Sequence, residues 1–149
     1  MTLLVFLVAF AIFCVRNNSG YWLLVLPGTI VHESLHFVTG KLLFAGPQNF
    51  NIVPVKHETG VCYGSVEFDN LNNFNAPPTA LAPLLGIPLV YYVWPYLQHT
   101  QNGYAQIAII WALAAIIAQS WPSETDWAVA LGHPVGLVLW AGFLGYFLL

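Results

Sequence analysis

In the stretch Val31-His32-Glu33-Ser34-Leu35-His36, two imidazoles stand four residues apart and a carboxylate follows the first of them. On a helix, positions four apart share a face, so both rings can reach one metal ion. Glu33 points to the adjoining side, close enough to take a proton from a water held by that ion. This H-E-x-x-H arrangement places two ligands and a general base on one helical turn. It suits hydrolysis of an unreactive bond such as a peptide. Water is a poor nucleophile at neutral pH, and zinc brings the pKa of its bound water to about 7 while polarising the carbonyl.

A catalytic zinc takes three protein ligands and keeps one position open. The extension H-E-x-x-H-x-x-G-x-x-H is absent, because Thr39 and Leu42 stand where its Gly and third His would be. His57, Glu58, Glu67 and Asp69 lie in a polar stretch, and His99 lies in the turn "QHTQNG"; all five read as solvated surface. In "SWPSETDWAVALGHP", Pro122 breaks an apolar run, and Glu124 and Asp126 follow at once. A helix cap explains those residues, with Ser123 as N-cap and the carboxylates in the first turn, where the helix dipole favours them. A capped helix start is also a rigid mount for a ligand. Asp126 is preferred over Glu124 as third ligand, and His133 stands behind both.

The elements that must position these groups are apolar. Such segments run over about 2–15, 21–45, 79–98, 104–121 and 127–149. Crossing ~30 Å of hydrocarbon takes about 20 helical residues. The pattern predicts an all-α polytopic membrane protein with about five transmembrane helical segments. The first segment lacks a positive flank and is followed by "RNNSG", so it reads as a retained membrane helix and not a signal sequence. Pro27 and Gly28 predict a kink or a helix restart just before the motif. Within the polar stretch 46–78, "NFNIVPV" and "GVCYGSVEF" flank the turn residues "KHETG", predicting a β-hairpin between the second and third segments. "NAPP" at 75–78 suits a helix start, and Asn75 there is a candidate contact for substrate backbone. The whole reads as one membrane-embedded domain, 1–149, with a catalytic core over about 21–135.

Composition agrees with that setting. The chain is 58% hydrophobic with a mean hydropathy of +0.71, and only 6% of its residues are charged. Ordinary soluble domains carry about a quarter charged residues. Three basic side chains exclude a nucleic-acid partner. The expected partners are the lipid bilayer and a transmembrane protein substrate, and the expected location is an integral, multi-pass protein of the cell membrane. Cys14 and Cys62 have no metal-type spacing and read as packing residues.

"HESLH" on an apolar helix, a β-containing loop, a proline-started segment and a broken segment with a late Asp together resemble the site-2 protease family of intramembrane zinc metalloproteases. The resemblance covers roughly residues 21–135. It implies Zn2+ held by His32, His36 and Asp126, with Glu33 as catalytic base. It departs from the family at Trp127, where the family has Gly after the Asp, and in having a single proline before it. The alternatives are a histidine-box diiron or lipid-modifying enzyme, and a non-catalytic or merely metal-binding membrane subunit. Five scattered histidines are too few for the first, and an intact Glu33 argues against the second.

Overall fold

A computed structural model describes residues 2–16, 20–57, 60–97, 99 and 102–148. Two helices open the chain, α1 (Thr2–Cys14) and α2 (Tyr21–Leu42). Strands β1 (Pro47–Asn51), β2 (Val55–His57), β3 (Gly60–Cys62) and β4 (Ser65–Phe68) follow. The short helix α3 (Ala76–Ala80) leads through a 3₁₀ turn (Ala82–Leu85) into α4 (Gly86–Leu97). Then come α5 (Gly103–Gln119), α6 (Glu124–Gly132) and α7 (Pro134–Leu148).

These helices correct the expected architecture. Among the described residues, no single helix is both long and apolar enough to cross a membrane; only the pair α5 and α6, bent by 45° at its break, passes together by length and composition. About five transmembrane helical segments are therefore not what the chain forms. From the third apolar segment on, the cause is punctuation by proline. Pro77 and Pro78 sit in the first turn of α3, and Pro83 starts the 3₁₀ turn, so segment 79–98 is divided among three short elements. The next run stays whole as α5, 17 residues ending at Gln119 ahead of Pro122, and Pro134 divides the last run between α6 and α7. An apolar run sets how much surface must leave water, whereas proline sets where backbone hydrogen bonding stops.

At Pro27 the reverse holds. The expected restart is absent, and α2 continues through Pro27 as one helix of 22 residues. Neighbouring α5 supports that turn, where the Trp111 indole donates to the Leu24 carbonyl at 2.9 Å. One turn on, Gly28 lets α5 approach so closely that a Cβ there would collide with the Ala115 carbonyl. A further turn on, the Gln119 carbonyl meets His32. The three contacts share one offset of 87 residues, so α2 and α5 run parallel and in step.

The core lies between α5 and its neighbours α1, α2 and α4. Val5, Ala9 and Ile12 form one stripe of α1 and pack with Val25, Val90, Leu113, Ala114 and Ala115. The other faces stay outward, with Leu3 and Phe10 on α1 and Val138 on α7 all about 70% exposed. The polar stretch folds as two antiparallel pairs, one behind the other. β1 pairs with β4 from Pro47↔Phe68 to Asn51↔Ser65, and β2 pairs with β3 from Val55↔Cys62 to His57↔Gly60. Pro54 lies in the gap between β1 and β2, and Tyr63 and Gly64 lie in the gap between β3 and β4. Of the expected turn "KHETG", Glu58 and Thr59 lie outside the described residues.

Candidate metal centre

His32 and His36 lie one turn apart on α2, with ring centroids 4.8 Å apart. Each ring is fixed through its Nδ1. His32 Nδ1 donates to the Gln119 carbonyl at 2.6 Å, and His36 Nδ1 donates to the Thr79 carbonyl at 2.8 Å. A carbonyl only accepts, so both Nδ1 atoms carry the proton and a neutral ring offers its lone pair at Nε2. Both carbonyls come from helix ends, where the last turn leaves acceptors without intrahelical donors. Pro83 has no N–H to return to Thr79, and Pro122 interrupts the helix just beyond Gln119. The prolines that shorten the apolar helices thus free the carbonyls that aim the histidines, the usual outer support of a metal-bound imidazole.

The two Nε2 atoms lie 3.1 Å apart. Asp126 faces them, with Oδ1 3.2 Å from His36 Nε2 and Oδ2 3.6 Å from His32 Nε2. Three electron-rich ligands at such separations repel one another unless a cation lies among them. One proton can serve one pair, whereas a metal ion serves all three. Tetrahedral zinc, with bonds near 2.0–2.1 Å, sets ligand atoms about 3.3 Å apart. His32, His36 and Asp126 are close enough to hold a metal ion, their ligand atoms all lying within 4.8 Å of one another.

Asp126 reaches this point through the start of α6. Ser123 caps the helix, and the pair forms a reciprocal capping box. The Ser123 N–H donates to Asp126 Oδ2 at 2.7 Å, and the Asp126 N–H donates to Ser123 Oγ at 3.2 Å. The cap and the ligand readings of this carboxylate are therefore one structure. The other candidates stand apart from the trio. Glu124 is exposed on the cavity rim. The His133 ring turns back on its own helix, its Nδ1 donating to the Val129 carbonyl at 2.9 Å. Glu67 is exposed and accepts from Asn49, while Asp69 and His99 are exposed. Glu58 and the side chain of His57 lie outside the described residues. Asp126→Asn should accordingly weaken metal binding and activity together by about tenfold or more, whereas Glu124→Gln should leave both within about twofold. Metal content and cleavage measured on the two variants side by side check this; a dead Glu124→Gln beside a normal Asp126→Asn would move the ligand by two residues.

Glu33 lies on the same turn and is only 6% exposed. Gly64, between β3 and β4, presses on it, and a Cβ at Gly64 would stand 2.7 Å from Glu33 Oε1 and 2.9 Å from the Thr29 methyl. The hairpin thus roofs the carboxylate, and only glycine fits under that roof. The trio and Glu33 border one cavity of about 680 Å³, walled by α2, the hairpin, Thr79 and the start of α6. Asn75 has a different place. Its amide donates to the Leu43 and Asn70 carbonyls, its oxygen accepts from the Asn72 N–H, and it ties the loop to α3 instead of facing the cavity. The orienting carbonyls of Thr79 and Gln119 and the roofing Gly64 were not readable from residue types, because two of them act through backbone atoms and the third through a missing side chain.

Comparison with family models, with curated proteins and with solved structures returns no match. The functional reading therefore rests on this geometry and on the motif.

Proposed function

We propose that the chain is a zinc metallopeptidase of the site-2 protease type, hydrolysing peptide bonds in or near membrane-spanning segments of other proteins. The observation that carries this reading is the convergence of the His32 and His36 Nε2 atoms, 3.1 Å apart, on the Asp126 carboxylate, with buried Glu33 on the same helical turn. Two imidazoles and a carboxylate oxygen form a donor set that zinc accepts. When bound, the ion would supply Lewis acidity and an activated water. Glu33 takes the proton from the attacking water as its oxygen bonds to the scissile carbon, then delivers it to the amine as the C–N bond breaks. Burial under Gly64 keeps this carboxylate out of bulk water, which favours a base over a solvated surface group.

The substrate class follows from the surroundings. The apolar faces that α1 and α7 turn outward suit a lipid bilayer. A helix hides its carbonyls within its own hydrogen bonds, so a membrane-spanning substrate must unwind locally. The hairpin that lines the cavity can take the unwound chain as an added strand, held by main-chain hydrogen bonds. A non-catalytic metal-binding subunit would need the trio but not the roofed Glu33.

Metal analysis of the purified chain, together with cleavage of a co-expressed membrane substrate, tests the reading. About one zinc per chain and a cut within or beside the substrate's apolar segment are expected. Two irons per chain would favour the histidine-box alternative, zinc without cleavage would favour a binding subunit, and no metal would overturn the site.

A further inference from the structure

Asn75 stands at the N-cap of α3, where an asparagine side chain usually accepts from the second or third backbone N–H of the helix. Here those positions are Pro77 and Pro78, which have no N–H, and the side chain makes no capping bond. It is nevertheless 1% exposed, and both of its N–H groups are used elsewhere. The amide donates to the Leu43 carbonyl at 3.3 Å and to the Asn70 carbonyl at 2.9 Å, and its oxygen accepts the Asn72 N–H at 2.8 Å. Leu43 caps the C-terminus of α2, where carbonyls lack helical donors, and Asn70 follows β4. One amide thus fastens the end of α2, the exit of the hairpin and the start of α3.

From that fastening two hydrogen bonds lead to the metal centre. The Asn75 carbonyl accepts the Thr79 N–H at 3.1 Å, one turn on. The Thr79 carbonyl accepts from His36 Nδ1 at 2.8 Å. These contacts close a ring, in which the end of α2 holds α3 at Asn75 and α3 holds a side chain of α2 at His36. With five residues, α3 is too short to keep its place by its own hydrogen bonds. Without the Asn75 amide, α3 can turn or slide against α2, and the Thr79 carbonyl goes with it. An imidazole whose Nδ1–H has lost its acceptor no longer holds its Nε2 in one direction. We propose that Asn75 is a positioning residue of the metal centre: by locking α3 to the end of α2, it sets the Thr79 carbonyl on His36 and so raises metal affinity. It touches neither metal nor substrate. The proposal deepens the metallopeptidase reading and rests on it, and the experiment separates the two.

The probe is Co2+ alone. The full chain is titrated with Co2+, whose visible absorption reports occupancy, and the imidazole N–H resonances of isotope-labelled histidines are read in the loaded protein. Wild type, Asn75→Ala and Val5→Ala are compared. Val5, 3% exposed in the core stripe of α1, controls for stability lost away from the cavity. Asn75→Ala should raise the Kd for Co2+ about tenfold, the lower end of what loss of an outer support costs, and the His36 Nδ1–H resonance should vanish through exchange with water. Val5→Ala should unfold at a lower temperature and match wild type in both readouts. If Asn75→Ala does not fold, Asn75→Asp carries the same expectation, since it is isosteric, keeps the acceptor for Asn72 and loses both amide donors. A lowered unfolding temperature in Asn75→Ala with an unchanged Kd and an intact His36 resonance overturns the proposal and leaves the metal site standing. Equal weakening of Co2+ binding in Val5→Ala also overturns it, because the loss then follows stability and not position. A chain that folds in neither Asn75 variant overturns it as well, because the amide then serves the fold. Failure of the wild type to take up Co2+ overturns this proposal and the metallopeptidase reading together.

Discussion

His36→Ala should release the metal and abolish activity with it. His36 is 5% exposed, and its Nε2 is the atom nearest to both other ligands, 3.1 Å from His32 Nε2 and 3.2 Å from Asp126 Oδ1. Losing an outer support of a metal ligand already costs about 10–100-fold in affinity, so losing the ligand itself should cost more than about a hundredfold. The same change leaves the Thr79 carbonyl without its imidazole donor. Thermal unfolding with added zinc reads the effect without any substrate. At zinc about 100-fold above its Kd, wild type should gain ~2.7 kcal/mol, a shift of roughly 5–11 °C for a chain of this size. His36→Ala and His32→Ala should lose that shift. His133→Ala should keep it, because the His133 ring is committed to the Val129 carbonyl. A full complement of zinc in either His32→Ala or His36→Ala would show that these imidazoles are not the ligands.

That contrast among histidines marks how far the sequence could be read. The pair at 32 and 36 was legible because ligand spacing on a helix is a local property, and helix periodicity carries it. Asp126 was legible in part, since a proline break followed by two carboxylates in an apolar setting needs a reason. The choice between Asp126 and Glu124 was not settled by local pattern. It depends on which first-turn residue is held by the cap, and the Ser123 N–H holds Asp126 at the third helical position. The architecture was less legible. Apolar runs near 79–98 and 104–121 suggested long helices, yet Pro83 breaks the first into short elements and the second stops after 17 residues ahead of Pro122, so neither gives a helix long enough to cross a bilayer singly. The cuts and the site are physically linked. Each break ends a helix at a carbonyl, and two of those carbonyls, on Thr79 and Gln119, aim the two histidines. No side-chain type announces such a role. The close approach of α5 at Gly28, which brings Gln119 onto His32, is likewise a tertiary fact that a single glycine does not signal.

Glu33→Gln should abolish hydrolysis while the metal stays bound. Glutamine keeps the shape of the side chain, so the packing of Gly64 over it is undisturbed. It leaves His32, His36 and Asp126 unchanged, so metal content should equal that of wild type. What it removes is the capacity to accept a proton. General-base catalysis contributes about 10²–10⁴ in rate, and the loss should fall in that range. The other carboxylates bordering the cavity are poor replacements: Asp126 is engaged with both imidazoles and the Ser123 N–H, and Glu124 is exposed on the rim. Cleavage of a co-expressed membrane substrate, measured beside zinc content on the same preparations, separates the two roles. Loss of cleavage with full zinc assigns Glu33 to proton transfer. Loss of both would mean that the carboxylate supports the metal site as well. Undiminished cleavage would end the hydrolytic mechanism, since no other group on this turn of α2 can take the proton from the attacking water.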